Sequence, residues 1–151
     1  MTINPTTPEA IALAKDLLAH ARFAALAVTD PETSHPFVSR VAVVPDHGTV
    51  LTLISTLSPH TKALKSNPNC AVLIGEPGPK GDPLTHPRMT CSGTATQIAK
   101  TDHKALWLAA IPKAQLYFDF ADFEMYRITP TKIALNGGFG KAFDLNPEDV
   151  T

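Results

Sequence analysis

Three short strand-like runs follow one another between residues 23 and 55, separated only by turn clusters. Turns this short join antiparallel neighbours, so the first half of the chain is committed to a β-meander. Phe23 to Thr29 is the first run, and Asp30-Pro31-Glu32-Thr33-Ser34 is the turn after it. Phe37 to Val44 alternates, with Phe37, Ser39, Val41 and Val43 on one face and Val38, Arg40 and Ala42 on the other. Pro45-Asp46-His47-Gly48 makes the hairpin connection, and Thr49 to Ser55 is the third run.

The remaining signals frame this meander. Thr7-Pro8-Glu9 opens a helix over 7–22, with Ile11, Ala14, Leu17, Leu18 and Ala21 on one face. Ser58-Pro59 opens a second helix over 59–67, capped by a hydroxyl and stopped by Asn67-Pro68. Ala71 to Gly75 reads as a fourth strand, and 76–87 as a proline-rich loop. Arg88 to Ala99 is a long fifth strand, with Gly93 a candidate bulge. A third helix is expected over 100–111, capped by Thr101, with Ala105, Leu106, Leu108 and Ala109 facing the barrel. Met125 to Ile128 and Ile133 to Leu135 read as two closing strands on either side of Thr129-Pro130. The Gly-rich loop 136–140 completes the closing segment 112–140, and 141–151 is a polar tail. The class is mainly β (α+β): an antiparallel β-barrel with a few peripheral helices, in a single domain over 1–151.

Bulk properties exclude several functions. A formal net charge of −1 implies no broad basic surface for nucleic acid. No apolar stretch approaches the ~20 residues that span a bilayer. The opening stretch is polar, so a cytoplasmic location is expected, with Cys70 and Cys91 as buried thiols. The histidines at 20, 35, 47, 60, 86 and 103 are dispersed, and no metal site is expected from their spacing. A single histidine could still ligate a heme.

The residues that carry chemistry are few. Arg40 lies within the second strand, where it either faces solvent or is paired. The passage Ser55-Thr56-Leu57-Ser58-Pro59-His60-Thr61-Lys62 runs from a strand directly into a helix start. Free N–H groups there attract phosphate, although a plain helix cap accounts for the same string. Arg88 opens the fifth strand. A closed meander could bring Arg40, Lys62 and Arg88 toward one spot suited to a phosphate dianion.

Ser39-Arg40-Val41, Ser55 to Leu64, Asn67-Pro68, Asp82 to Gly93 and Asp122 to Gly140 occur here in one order. That order resembles the pyridoxamine 5′-phosphate oxidase-like family, and within it the heme-utilisation (HugZ-like) branch. The resemblance implies an FMN-binding split β-barrel whose cofactor lies at a homodimer interface. It implies Arg40 and Lys62 as phosphate anchors, and Ser39, Ser55 and Thr56 along the phosphate, ribityl chain and flavin edge. It further implies backbone of Val41 and Ile54 along the ring, His60 and Thr61 at the helix start, and Arg88 reaching in from the partner. An FMN-dependent oxidoreductase acting on a small-molecule substrate is the first expectation. A heme-binding module and a cofactor-free dimeric binding protein are the alternatives. The oxidase proper closes with tryptophan- and arginine-containing motifs that this chain lacks, so vitamin B6 oxidase activity is not expected. The longer heme-utilisation relatives carry a further domain with a heme-ligating histidine, which this sequence does not include.

Overall fold

A computed structural model of the chain, describing residues 2–151, contains eight strands and three α-helices among those residues. In chain order they are β1 (Ile3–Asn4), α1 (Pro8–His20), β2 (Phe23–Thr29), β3 (Pro36–Asp46) and β4 (Thr49–Ser55). There follow α2 (Pro59–Ser66), β5 (Asn69–Ile74), β6 (Arg88–Ile98), α3 (Lys104–Ala110), β7 (Phe123–Asn136) and β8 (Ala142–Leu145). The sheet order is β7-β4-β3-β2-β5-β6, and β6 pairs back onto β7, which closes a six-stranded antiparallel barrel. This is the split-barrel class expected from the sequence. β8 and β1 extend the sheet beyond β7.

Local chemistry explains the elements. His47 and Gly48 both take positive φ, 48° and 78°, as a tight two-residue hairpin needs. The Thr7 side chain accepts the Ala10 N–H at 3.1 Å, with Pro8 at the first helical position. α1 buries Ala10, Ala14 and Leu18 in the same core as Leu26, Val43 and Ile133 of the barrel. A second core lies outside the barrel. There Trp107 and Phe118 pack on Val44, Leu51, Leu53 and Met125.

Five expectations need correction. Ser58 occupies the cap of α2, but its hydroxyl makes no capping bond. The neighbouring Thr61 hydroxyl instead donates to the Ser55 carbonyl at 2.6 Å. The third helix starts later than expected: Lys100–His103 forms a 3₁₀ turn, and α3 follows without a Thr101 cap. Its buried side chain is Trp107, while Ala105, Leu106 and Ala109 are exposed. The two expected closing strands are one strand, β7, which runs through Pro130. Its pairing with β4 ends at Ile128 and that with β8 begins at Ile133, so Pro130 sits between them and interrupts neither ladder. The polar tail contains β8 and buries Leu145 and Val150.

Other details follow the sequence. The register between β6 and β7 shifts between Ser92 and Gly93, the expected bulge. Cys91 is fully buried and Cys70 partly so, and burial pushes both thiols up to about 11. Neither is a thiolate at neutral pH, so neither is a ready nucleophile.

Candidate functional site

Cross-strand register places Phe23, Ala25, Ala27, Val38, Ala71 and Leu73 on the outer face of β2, β3 and β5. The opposite strand residues point into the barrel, which leaves these six outside. The barrel's other flank is covered by α3 and the 3₁₀ turn after it; this one is not. Val38 is 62% exposed, Leu73 46% and Phe23 44%. These three large apolar side chains, set among alanines, form a water-facing patch of the kind that marks a binding surface.

A cleft of about 570 Å³ opens along this face. Its floor includes Phe23, Ala25, Val38 and Leu73, and its rim includes His20, Arg22, Arg40, Asp16 and Glu76. The Arg40 guanidinium stands 5.7 Å over the Phe23 ring. Arg22 donates to the Ala19 and Ala21 carbonyls at 3.1 and 2.7 Å, which also ties off the C-terminal end of α1. Ile74-Gly75 forms the far wall. Gly75 has φ 110°, and a Cβ there would meet Arg88 Cα at 2.7 Å.

The expected site residues divide into groups. Arg40 and Ser39 reach the cleft. Val41 and Ile54 are buried in the barrel core. Lys62 lines a separate hollow with Asp30, Glu32 and Phe37. Arg88 lines a third, and its guanidinium is bonded to the Leu84 and His86 carbonyls at 2.7 and 3.3 Å. Within one chain the three cations therefore face three different hollows.

The strand-to-helix passage is committed to its own structure. Ser55 Oγ donates to Asp122 Oδ2 at 2.8 Å and accepts the Leu57 N–H at 3.1 Å. The Thr56 N–H donates to the Asp122 carbonyl at 2.7 Å. Thr61 is fully buried with its hydroxyl proton on Ser55 O. The Ser58 N–H bonds Ser55 O, the Thr61 and Lys62 N–H groups both bond Ser58 O, and Pro59 has none. A phosphate here would meet few free donors and the Asp122 carboxylate.

His60 pairs with Ser39, Nδ1 to Oγ, at 3.0 Å, and burial lowers its pKa below the ordinary 6.5. The folded state therefore binds this proton less readily than the unfolded chain. Its contribution to stability is complete above pH 6.5 and declines as the pH falls below that value. His60→Asn, which keeps an acceptor for Ser39, should lose less stability than the wild type between pH 7 and pH 5. Urea midpoints at the two pH values measure this, and equal losses would refute it.

Sequence reasoning passed over His20, Arg22 and Leu73 as cleft residues. They gather only when α1, β2 and β5 meet, and no local motif marks them. Asp122 was likewise invisible as a partner of Ser55, 67 residues away.

The chain matches the sequence family described as Pyridoxamine 5′-phosphate oxidase over residues 11–137. It is 36% identical over 101 residues to the non-canonical heme oxygenase HOZ, chloroplastic, of Arabidopsis thaliana, covering 64% of this chain and 30% of the plant protein. This chain thus spans about a third of that relative's length. A solved structure 42% identical covers 97% of this chain and 98% of its own, with a TM-score of 0.92. The heme binding protein from Mycobacterium smegmatis shares the fold at 24% identity and TM-score 0.87, over 96% of this chain and 61% of that one.

Proposed function

Because the chain belongs to the pyridoxamine 5′-phosphate oxidase family, we propose that it is a homodimer holding a flat, anionic ring cofactor on the outer face of β2, β3 and β5, and that this cofactor is heme. The observation that carries the reading is the cleft of about 570 Å³: an apolar floor with Arg40 and Arg22 at its rim. Heme is an apolar macrocycle with two carboxylates at one edge, and the floor and rim match those two parts. The relationship to the plant heme oxygenase supports the same ligand.

The protein's part follows from its residues. Phe23, Ala25, Val38 and Leu73 offer contact surface, and the alanine lets a ring approach the sheet closely. Arg40, already oriented by the Phe23 face, supplies a planar donor fork for a carboxylate. A second copy on the same exposed face would cover the ring and exclude water. Bound heme supplies iron-centred electron and oxygen chemistry.

FMN is the second reading, favoured by the family and by Arg40 and Lys62. Because Arg40 and Lys62 line different hollows within one chain, its phosphate would rest on one of them, since the hydroxyls of Ser55 and Thr61 and most main-chain donors of the passage are engaged.

One experiment separates the two: absorbance of the protein as purified, then titration with hemin and with FMN. The expected result is a shifted Soret band saturating at one heme per chain or per dimer, with Arg40→Ala weakening binding. Arg40→Ala should cost about tenfold, the worth of one charge-assisted contact. Quenched flavin fluorescence with no Soret shift would replace heme by FMN, and neither signal would refute both.

A further inference from the structure

We infer that His20 is the side chain that ligates the iron, an assignment that rests on the heme reading above. His20 closes α1 and lines the cleft. Its Nδ1 lies 2.9 Å from the Asp16 carbonyl oxygen and 3.2 Å from the Asp16 carboxylate. Both are acceptors, so Nδ1 carries the proton and, in the neutral ring, Nε2 carries the lone pair. A ring that donates one N–H to a carbonyl or carboxylate and leaves the other nitrogen free is how metal-ligating histidines are held. The hydrogen bond also fixes the imidazole's orientation.

The other five histidines are placed otherwise. His86 is spent at both nitrogens, accepting the Gly78 N–H at 2.9 Å and lying 2.8 Å from the Lys80 carbonyl. His103 Nε2 receives the Arg127 guanidinium at 2.9 Å. His60 Nδ1 is on Ser39. His47 projects from the β3–β4 hairpin beside Asp46, and His35 lies in the exposed turn between β2 and β3. None of these five lines the cleft. His20 alone combines a free nitrogen with a place on the rim beside the apolar floor and Arg40.

Coordination needs no electron transfer and no leaving group. The Nε2 lone pair would form the bond to iron, displacing water or hydroxide, and the proton would stay on Nδ1, donated to Asp16.

The test is hemin titration of the full chain as wild type, His20→Ala and, as control, His35→Ala. The wild type should give an imidazole-ligated ferric spectrum. His20→Ala should shift the Soret band and weaken binding by at least about tenfold, the scale of effects at metal-ligand shells. Added imidazole should restore the wild-type spectrum in His20→Ala, which a merely structural role would not allow. His35→Ala should match the wild type. An unchanged spectrum and affinity in His20→Ala would overturn the assignment and leave the heme reading intact. No Soret shift with the wild-type chain would overturn both.

Discussion

Alanine at position 93 is expected to cost the barrel about 3 kcal/mol or more, a large part of the stability of a domain of this size. Gly93 sits at the β6–β7 bulge, opposite Pro130. A Cβ there would overlap the Thr129 carbonyl oxygen and lie 2.8 Å from its carbon and 3.1 Å from Pro130 Cα. All three are main-chain atoms, so no side chain can swing aside. Relief requires parting β6 from β7 along the seam that closes the barrel. Gly137 makes the contrast. A Cβ there would meet only the Leu13 and Lys141 side chains, at 3.4 Å and beyond. Urea unfolding should show Gly93→Ala far below the wild type, or insoluble, and Gly137→Ala within about 1 kcal/mol of it. A Gly93→Ala midpoint close to that of the wild type would refute the account of the bulge.

Val38→Asp should turn a dimer into a folded monomer. In one chain Val38 is already 62% exposed, so a carboxylate there strains nothing and should leave the unfolding midpoint of the monomer near that of the wild type. In a dimer built on this face, the carboxylate would be buried without a partner. Such burial costs several kcal/mol, or about a thousandfold in association. Sedimentation at micromolar concentration should give one species of twice the chain mass for the wild type and of single mass for the variant. Heme affinity should fall with it, because the ring loses half its cover. A wild-type monomer, or a variant that remains dimeric, would sink the interface proposed on this face.

The two halves of the molecule were not equally legible. Between residues 23 and 55 strand and turn signals are local, and the observed β2 and β4 match the expected bounds. Gly93 also showed itself, because glycine inside a strand pattern has few other uses. Pro130 misled, since proline ordinarily ends a strand. Only the placement of β4 and β8 along β7 shows why it is tolerated here. The face of α3 was misassigned because seven residues hold too little periodicity to outvote one tryptophan. At the site, Arg40 was legible as an arginine that needed a reason. The helix start read as a phosphate cradle because the string Ser55 to Lys62 offers many donors. What the string cannot tell is that Asp122, far along the chain, claims the Ser55 hydroxyl and the Thr56 N–H, while Ser55 and Ser58 take most of the others. His20 is legible in the sequence only as one of six dispersed histidines. Its bond to Asp16 follows from spacing of four, but its place beside Leu73 does not.

The continuity of β7 has a kinetic consequence. This one strand pairs with β4 over its first half, with β8 over its last residues and with β6 along its length. Until residues 123–136 have left the ribosome, β4 and β6 are both open edges of an unfinished five-stranded sheet. The pairing of β4 with β7 spans about seventy residues, and contacts so distant form slowly. During synthesis the chain therefore passes through a stage with two sticky margins, when a holding chaperone would matter most. Folding yield should thus depend more on how fast this last strand arrives than on any stage before it.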